Sequence, residues 1–166
     1  PDSIVARAAA RRLDRAGAEG VDAAIEMLCD RTAGSAAVPH LAKVVARAGR
    51  FAELLDRGVS ARALRGGLDA LAGLGDERAG SSLRSLSGRF AEIWECVRVF
   101  DVDPQLVFDL AAEAGDGAFL TRIATDVHAT PVERSTAVLS ALCSKETISA
   151  GLAGARSVLA DSGTQP

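Results

Sequence analysis

Aromatic side chains are scarce in this chain: tyrosine is absent, there is one tryptophan, and aromatics make up only 4% of the residues. A core built without them must rely on aliphatic packing, and much of the 48% hydrophobic content is alanine. Alanine is the strongest helix former and lets helices approach closely, but it buries little apolar area. Helix-on-helix packing around a thin core, of modest stability unless a partner adds to it, is the expectation. No apolar run approaches the roughly 20 residues that a membrane-crossing helix needs, so no membrane span is predicted. Lysine is nearly missing, with Lys43 and Lys145 alone among the cations that are not arginine. GC-rich coding accounts for that bias; arginine chosen for phosphate or interface contacts is the sharper alternative.

Histidine and cysteine are too few and too scattered for the usual metal or nucleophile arrangements. His40 and His128 belong to no H-E-x-x-H sequence and to no Cys/His pair at zinc-finger spacing. His40 follows Pro39 at a helix start, and His128 closes a helix, where a protonated ring complements the dipole. Cys29, Cys96 and Cys143 form no C-x-x-C pair, and an odd count makes a disulfide framework improbable. Buried free thiols in a reducing compartment, cytoplasm or mitochondrial matrix, are the simplest account. Glu92 and Glu95 lack the histidine of a di-metal E-x-x-H motif. No phosphate-binding glycine loop and no G-x-S-x-G elbow is present. The sequence therefore predicts no catalytic residue, cofactor or metal, and no small-molecule ligand.

What is present is helical periodicity, punctuated by Gly, Ser, Asp and Pro. The pattern predicts an all-α chain of about ten to eleven helices: a single repeat domain over 1–160 and a frayed tail over 161–166. The first helix is expected from Ser3 to Ala16, burying Val5, Ala9 and Leu13, and the second to bury Val21, Ala24, Ile25 and Leu28. Leu41, Val44 and Val45 should face inward, followed by a short helix with Phe51, Leu54 and Leu55. Ser60 reads as the N-cap of a helix burying Leu64, Leu68 and Leu71. Gly66 and Gly67 inside that helix call for a bend or a close neighbour, because each costs roughly 1 kcal/mol against alanine. Phe90, Ile93, Trp94 and Val97 form the next apolar row. Asp103 with Pro104 is a strong start signal for a helix burying Leu106, Val107 and Leu110. Phe119, Leu120 and Ile123 follow. A helix opened by Thr130 and Pro131 should bury Val132, Leu139 and Leu142, and a last one should run from Glu146 to Leu159.

A repeat underlies this order. GRFAEL at Gly49–Leu54 returns as GRFAEI at Gly88–Ile93, and GLDALAGLG at Gly67–Gly75 aligns with VFDLAAEAG at Val107–Gly115. The first displacement is 39 positions and the second 40. A weaker echo, GAFLTRI, begins at Gly117. In period and composition the region from Ala36 to Ser144 resembles HEAT or armadillo-type repeats, and less closely the pentatricopeptide and octotricopeptide classes. The Trp-Leu-Gly-Tyr signature of tetratricopeptides is missing. The resemblance implies a short right-handed stack of antiparallel helix pairs, an α-solenoid in which each unit buries its apolar face against its neighbours.

Two charge patterns are candidate surfaces. Arg7, Arg11 and Arg15 recur every fourth residue and so share one helix face, suited to a phosphate backbone or an acidic partner. A solvated face partly neutralised by Asp14 is the plainer reading. Glu92, Glu95, Asp101, Asp103, Asp109, Glu113 and Asp116 are opposed within their stretch only by Arg98, which suggests a negative surface for a basic protein partner. Trp94 belongs with the core rather than an exposed hot spot.

The start of the chain, DSIVARAAARRLDRAG after Pro1, is arginine-rich and amphipathic like a mitochondrial presequence. Asp2 and Asp14 are foreign to such segments, and a folded helix is expected there; the missing methionine suggests a processed protein or part of a longer one. The net charge of -3 argues against a surface built wholly for nucleic acid. The functional expectation is a non-catalytic scaffold holding other protein subunits in a larger assembly. The alternatives are an RNA-associated peripheral subunit of a ribonucleoprotein such as a mitochondrial ribosome, and, third, a helical-bundle enzyme or ligand-binding domain.

Overall fold

Helix caps and glycine turns divide the chain into the elements of a computed structural model, which describes residues 2–30, 33–73, 82–100 and 102–162. Among these residues ten α-helices have described bounds, with a further helical stretch at 82–84, one 3-10 turn and no strand. The helices are α1 Asp2–Arg15, α2 Ala18–Cys29, α3 Val38–Arg47, α4 Phe51–Asp56 and α5 Ala61–Ala72. They continue as α6 Phe90–Val97, α7 Pro104–Glu113, α8 Gly117–Thr125, α9 Pro131–Cys143 and α10 Ile148–Ser162. The chain is all-α. No described helix is long and apolar enough to cross a membrane. Of the expected tail, residues 161 and 162 continue α10, and 163–166 lie outside the described residues.

The chain separates into two units, Pro1–Leu86 with Glu95–Val102, and Ser87–Trp94 with Asp103–Pro166. In the first, α3 packs on α5 and α2, and α1 lies on α2 and α3. Ile25, Leu41, Val45, Phe51, Leu54, Leu64 and Leu68 are all buried there. The Ser60 hydroxyl accepts a hydrogen bond from the Ala63 N–H, capping α5 as expected. Gly66 and Gly67 mark a close approach. An ideal Cβ on Gly66 would stand 3.0 Å from the Pro39 Cα, and one on Gly67 would fall 1.9 Å from the Phe51 ring.

In the second unit α9 packs on α7, α8 and α10, and α8 also packs on α10. Its core holds an aromatic chain of contacts. The Trp94 ring lies 5.1 Å from Phe108, Phe108 lies 5.8 Å from Phe119, and Phe119 lies 6.2 Å from Phe90, all tilted. Such tilted pairs add about 0.5–1.5 kcal/mol each to simple area burial. Asp103 caps α7 through the Gln105 N–H, and Thr130 with Glu133 forms a reciprocal capping box on α9.

Three apolar registers differ from the pattern. In α1, Val5 and Ala9 are exposed, Leu13 is half-buried, and Ala10 is the buried residue. Four alanines within Ala6–Ala10 make several rows nearly equal in apolar content, so only packing on α2 and α3 selects one. In α7, Phe108 is buried and Leu106 half-buried, because the larger ring completes the aromatic cluster. In α9, Val132 and Leu139 are exposed and Leu142 is half-buried, whereas Ala137, Val138, Ser140 and Ala141 face inward. Small residues win there because close approach to α8 and α10 leaves no space for larger ones.

Candidate functional site

The first helix carries arginines every fourth residue, and α3 carries a matching polar row at His40, Lys43 and Arg47. Packing α1 on α3 brings the two rows to one cleft of about 290 Å³, lined by Arg7, Ala10, Arg11, Asp14, His40, Lys43, Val44 and Arg47. The floor is aliphatic and the rims are cationic. One Arg47 nitrogen lies 3.4 Å from an Asp14 carboxylate oxygen; both groups are over 40% exposed, and such pairs contribute little to stability. Among the described residues Arg7, Arg11 and Lys43 have no carboxylate within ion-pair distance. Arg15 does not line this cleft.

The three α3 residues follow a legible helical spacing, at positions 40, 43 and 47. Their partnership with Arg7 and Arg11 is tertiary, since some thirty residues and a second helix intervene.

An adjoining cleft is lined by Asp14, Gly17, Ala18, Val21, Arg47, Ala48 and Arg50. Arg50 is held there by Asp22 at 2.6 Å and by a forked pair of bonds to Glu53. The carboxylates hold its guanidinium more firmly protonated than usual, and the Arg50 hydrogen bond keeps the Glu53 carboxyl below its ordinary range.

The expected acidic surface is differently disposed. Asp116 is buried: its carboxylate accepts from the N–H groups of Gly88 at 3.0 Å, Phe90 at 3.3 Å and Phe119 at 3.2 Å. Asp109 is half-buried and accepts from the Ser140 hydroxyl and the Gln105 amide, both at 2.7 Å, joining α7 to α9. Asp103 is engaged as an N-cap. Glu92 pairs with Arg89 at 2.9 Å, and Glu95 with Arg98 at 3.2 Å. Glu113 is exposed, and Asp101 lies outside the described residues. Several of the seven are thus structural acceptors rather than free charge, because Asp in particular favours the starts of helices.

No family model, curated protein or solved structure matches this chain significantly.

The thiols are less buried than their apolar helices suggested. Cys96 and Cys143 are exposed, and Cys29 is half-buried. Each stands at or beside a helix C-terminus, where the last turn leaves the packed face. Burial raises the Cys29 thiol above its usual value, against the lowering effect of Arg57. His128 is exposed and lies beyond the end of α8, its backbone N–H donating to the Asp126 carboxylate. His40 is half-buried at the cationic cleft. No group of three or more His, Cys, Asp or Glu residues converges as a metal site among the described residues.

Periodicity alone missed a further surface. The last helix turns its smallest residues inward. An ideal Cβ on Gly154 would stand 2.8 Å from the Ala124 Cβ, and one on Gly151 2.8 Å from the Leu142 side chain. Its large aliphatics point outward: Ile148, Leu152 and Leu159 are exposed, the last at 70%. Their spacing places them along one stripe of α10. On α9, Val132, Leu139 and Cys143 also share an exposed face. Trp94, in contrast, is 3% exposed and belongs to the core, as its helical row predicts.

Proposed function

We propose that this chain is a non-catalytic helical interaction module, a scaffold subunit that docks a protein partner within a larger assembly. The inverted last helix carries the reading. A helix that buries glycines and exposes Ile148, Leu152 and Leu159 spends its main apolar area on water, which favours a second surface covering it. The helix α9, which packs on α10, exposes an apolar row of its own. The repeated Gly-Arg-Phe-Ala-Glu segments support a HEAT-like stack of antiparallel helix pairs, in which an end face needs protection. Short connections between successive helices suit the same arrangement.

The discriminating experiment is affinity purification of the tagged chain from its native cells, with and without nuclease, alongside a Leu139→Glu/Leu152→Glu variant. The scaffold reading expects the same protein partners with and without nuclease, and their loss from the variant. Partners that vanish with RNA would instead favour the ribonucleoprotein reading, to which Arg7 and Arg11 give some support. Partners retained in full by the variant would remove the C-terminal hairpin as the docking face.

A further inference from the structure

The cationic cleft between α1 and α3 belongs to a different part of the molecule from the apolar hairpin and does not depend on the scaffold reading. Arg7, Arg11, Lys43 and Arg47 bring four cationic side chains to a cleft whose one carboxylate is Asp14. Three positive charges are left in surplus. Like charges held together by two packed helices repel one another, and a bound anion relieves that cost. Arginine forks one helical turn apart match the oxygens of a phosphate group, and a lysine adds a point charge from the facing rim.

The form of the ligand follows from where the positive surface stops. Asp14 and Arg47, which pair with each other, line both this cleft and its neighbour, so a neutralised pair marks the boundary between them. Beyond it Arg50 is already occupied by Asp22 and Glu53. Arg15, which would extend the row, is not part of the cleft. No Phe, Tyr or Trp lines it, and its single aromatic ring is the half-buried His40 imidazole, so the row of stacking platforms that tracks successive bases of a single strand is missing. A volume of about 290 Å³ lies at the small end of the range for ligand sites. We propose that this cleft binds a compact, multiply charged phosphate ligand, an oligophosphate or a phosphorylated small molecule, through Arg7, Arg11 and Lys43 with Arg47 at its edge.

Isothermal titration of the full chain with sodium tripolyphosphate, at about 0.1 M salt where distant charges are screened, tests the assignment. Saturable one-to-one binding is expected, weakened about tenfold or more by Arg11→Ala combined with Lys43→Ala, as charged hydrogen bonds are lost. Asp14→Asn should tighten binding severalfold by removing the carboxylate and releasing Arg47, an opposite sign that misfolding cannot produce. Arg15→Ala should stay within about twofold of the parent. A decauridylate probe should bind no tighter than tripolyphosphate. No saturable binding, or an Asp14→Asn variant that fails to tighten, would overturn the proposal. Decauridylate binding tenfold tighter and dependent on Arg15 would also overturn it, giving the cleft to a nucleic-acid backbone.

Discussion

The segment Gly49–Leu54 in the first unit and the segment Gly88–Ile93 in the second share one local design and differ in what supports it. Both glycines adopt positive φ, 73° and 81°, a backbone state that side chains with a Cβ resist. Both phenylalanines begin a helix and are fully buried, and both arginines pair with the glutamate three residues on. The tertiary surroundings then diverge. Phe51 lies against the bare backbone of Gly67, and Arg50 reaches across to Asp22. Phe90 joins an aromatic cluster, and Asp116 gathers the N–H groups of Gly88 and Phe90. The position 40 residues after Gly67 carries the buried Val107, so the close approach to the ring is particular to the first segment. A short code can thus set a turn and a helix start while leaving the anchoring of that turn to other elements.

The largest test of this comparison removes the two rings. Phe51→Ala and Phe90→Ala should each cost about 3–5 kcal/mol, the usual toll for a buried phenylalanine. Urea unfolding followed by both Trp94 fluorescence and circular dichroism would show where the loss falls. Phe90→Ala should shift the fluorescence transition, since Trp94 belongs to the same unit, and Phe51→Ala should act mainly on the dichroism. Equal shifts of both probes in both variants would refute the idea that each segment serves its own unit.

Smaller, and confined to the second segment's surroundings, is the effect of Asp116→Ala. It strands three backbone N–H groups at once, for an expected loss of about 2–4 kcal/mol. Asp116→Asn should recover part of this, because its amide retains one accepting oxygen. A loss below about 1 kcal/mol for the alanine variant would show that water or the backbone replaces the carboxylate. The same denaturation curves decide it.

The smallest expected effect concerns the first segment. Glu53 has a lowered folded-state pKa, chiefly through its hydrogen bond from Arg50. Its contribution is therefore whole above the ordinary value of 4.5 and fades as the pH falls through the depressed folded value. Over a third of the side chain is exposed, so solvent screening keeps the effect to a fraction of a kcal/mol. Stability measured between pH 6 and about pH 3 should fall slightly less for Glu53→Gln than for the parent. An identical pH profile would mean that the pair is decorative.

Much of the helix order was legible because caps and spacing are local. Ser60, Asp103 and Thr130 start helices by accepting N–H groups within three residues, and the rows Val21/Ala24/Ile25/Leu28 and Phe90/Ile93/Trp94/Val97 gather most of the bulky residues of their helices on one face. The row of α1 was not legible, since alanines stand on every side of it. The exposed face of α9 was misread for a related cause: periodicity finds an apolar stripe but cannot tell one that packs inward from one that faces water. Of the candidate site, Arg7 and Arg11 could be read from their spacing, whereas Lys43 and Arg47 could not be joined to them.

By itself, then, the sequence determined the helical class, the main turns and the residues able to carry charge, since each depends on neighbours within about one helical turn. The tertiary structure alone decided that Asp116 is a buried anchor, that the glycines of α10 face inward while its aliphatics face water, and that two basic rows share one cleft. Those outcomes depend on which helices meet and how closely they approach, and contacts between residues far apart in the chain leave no local signature.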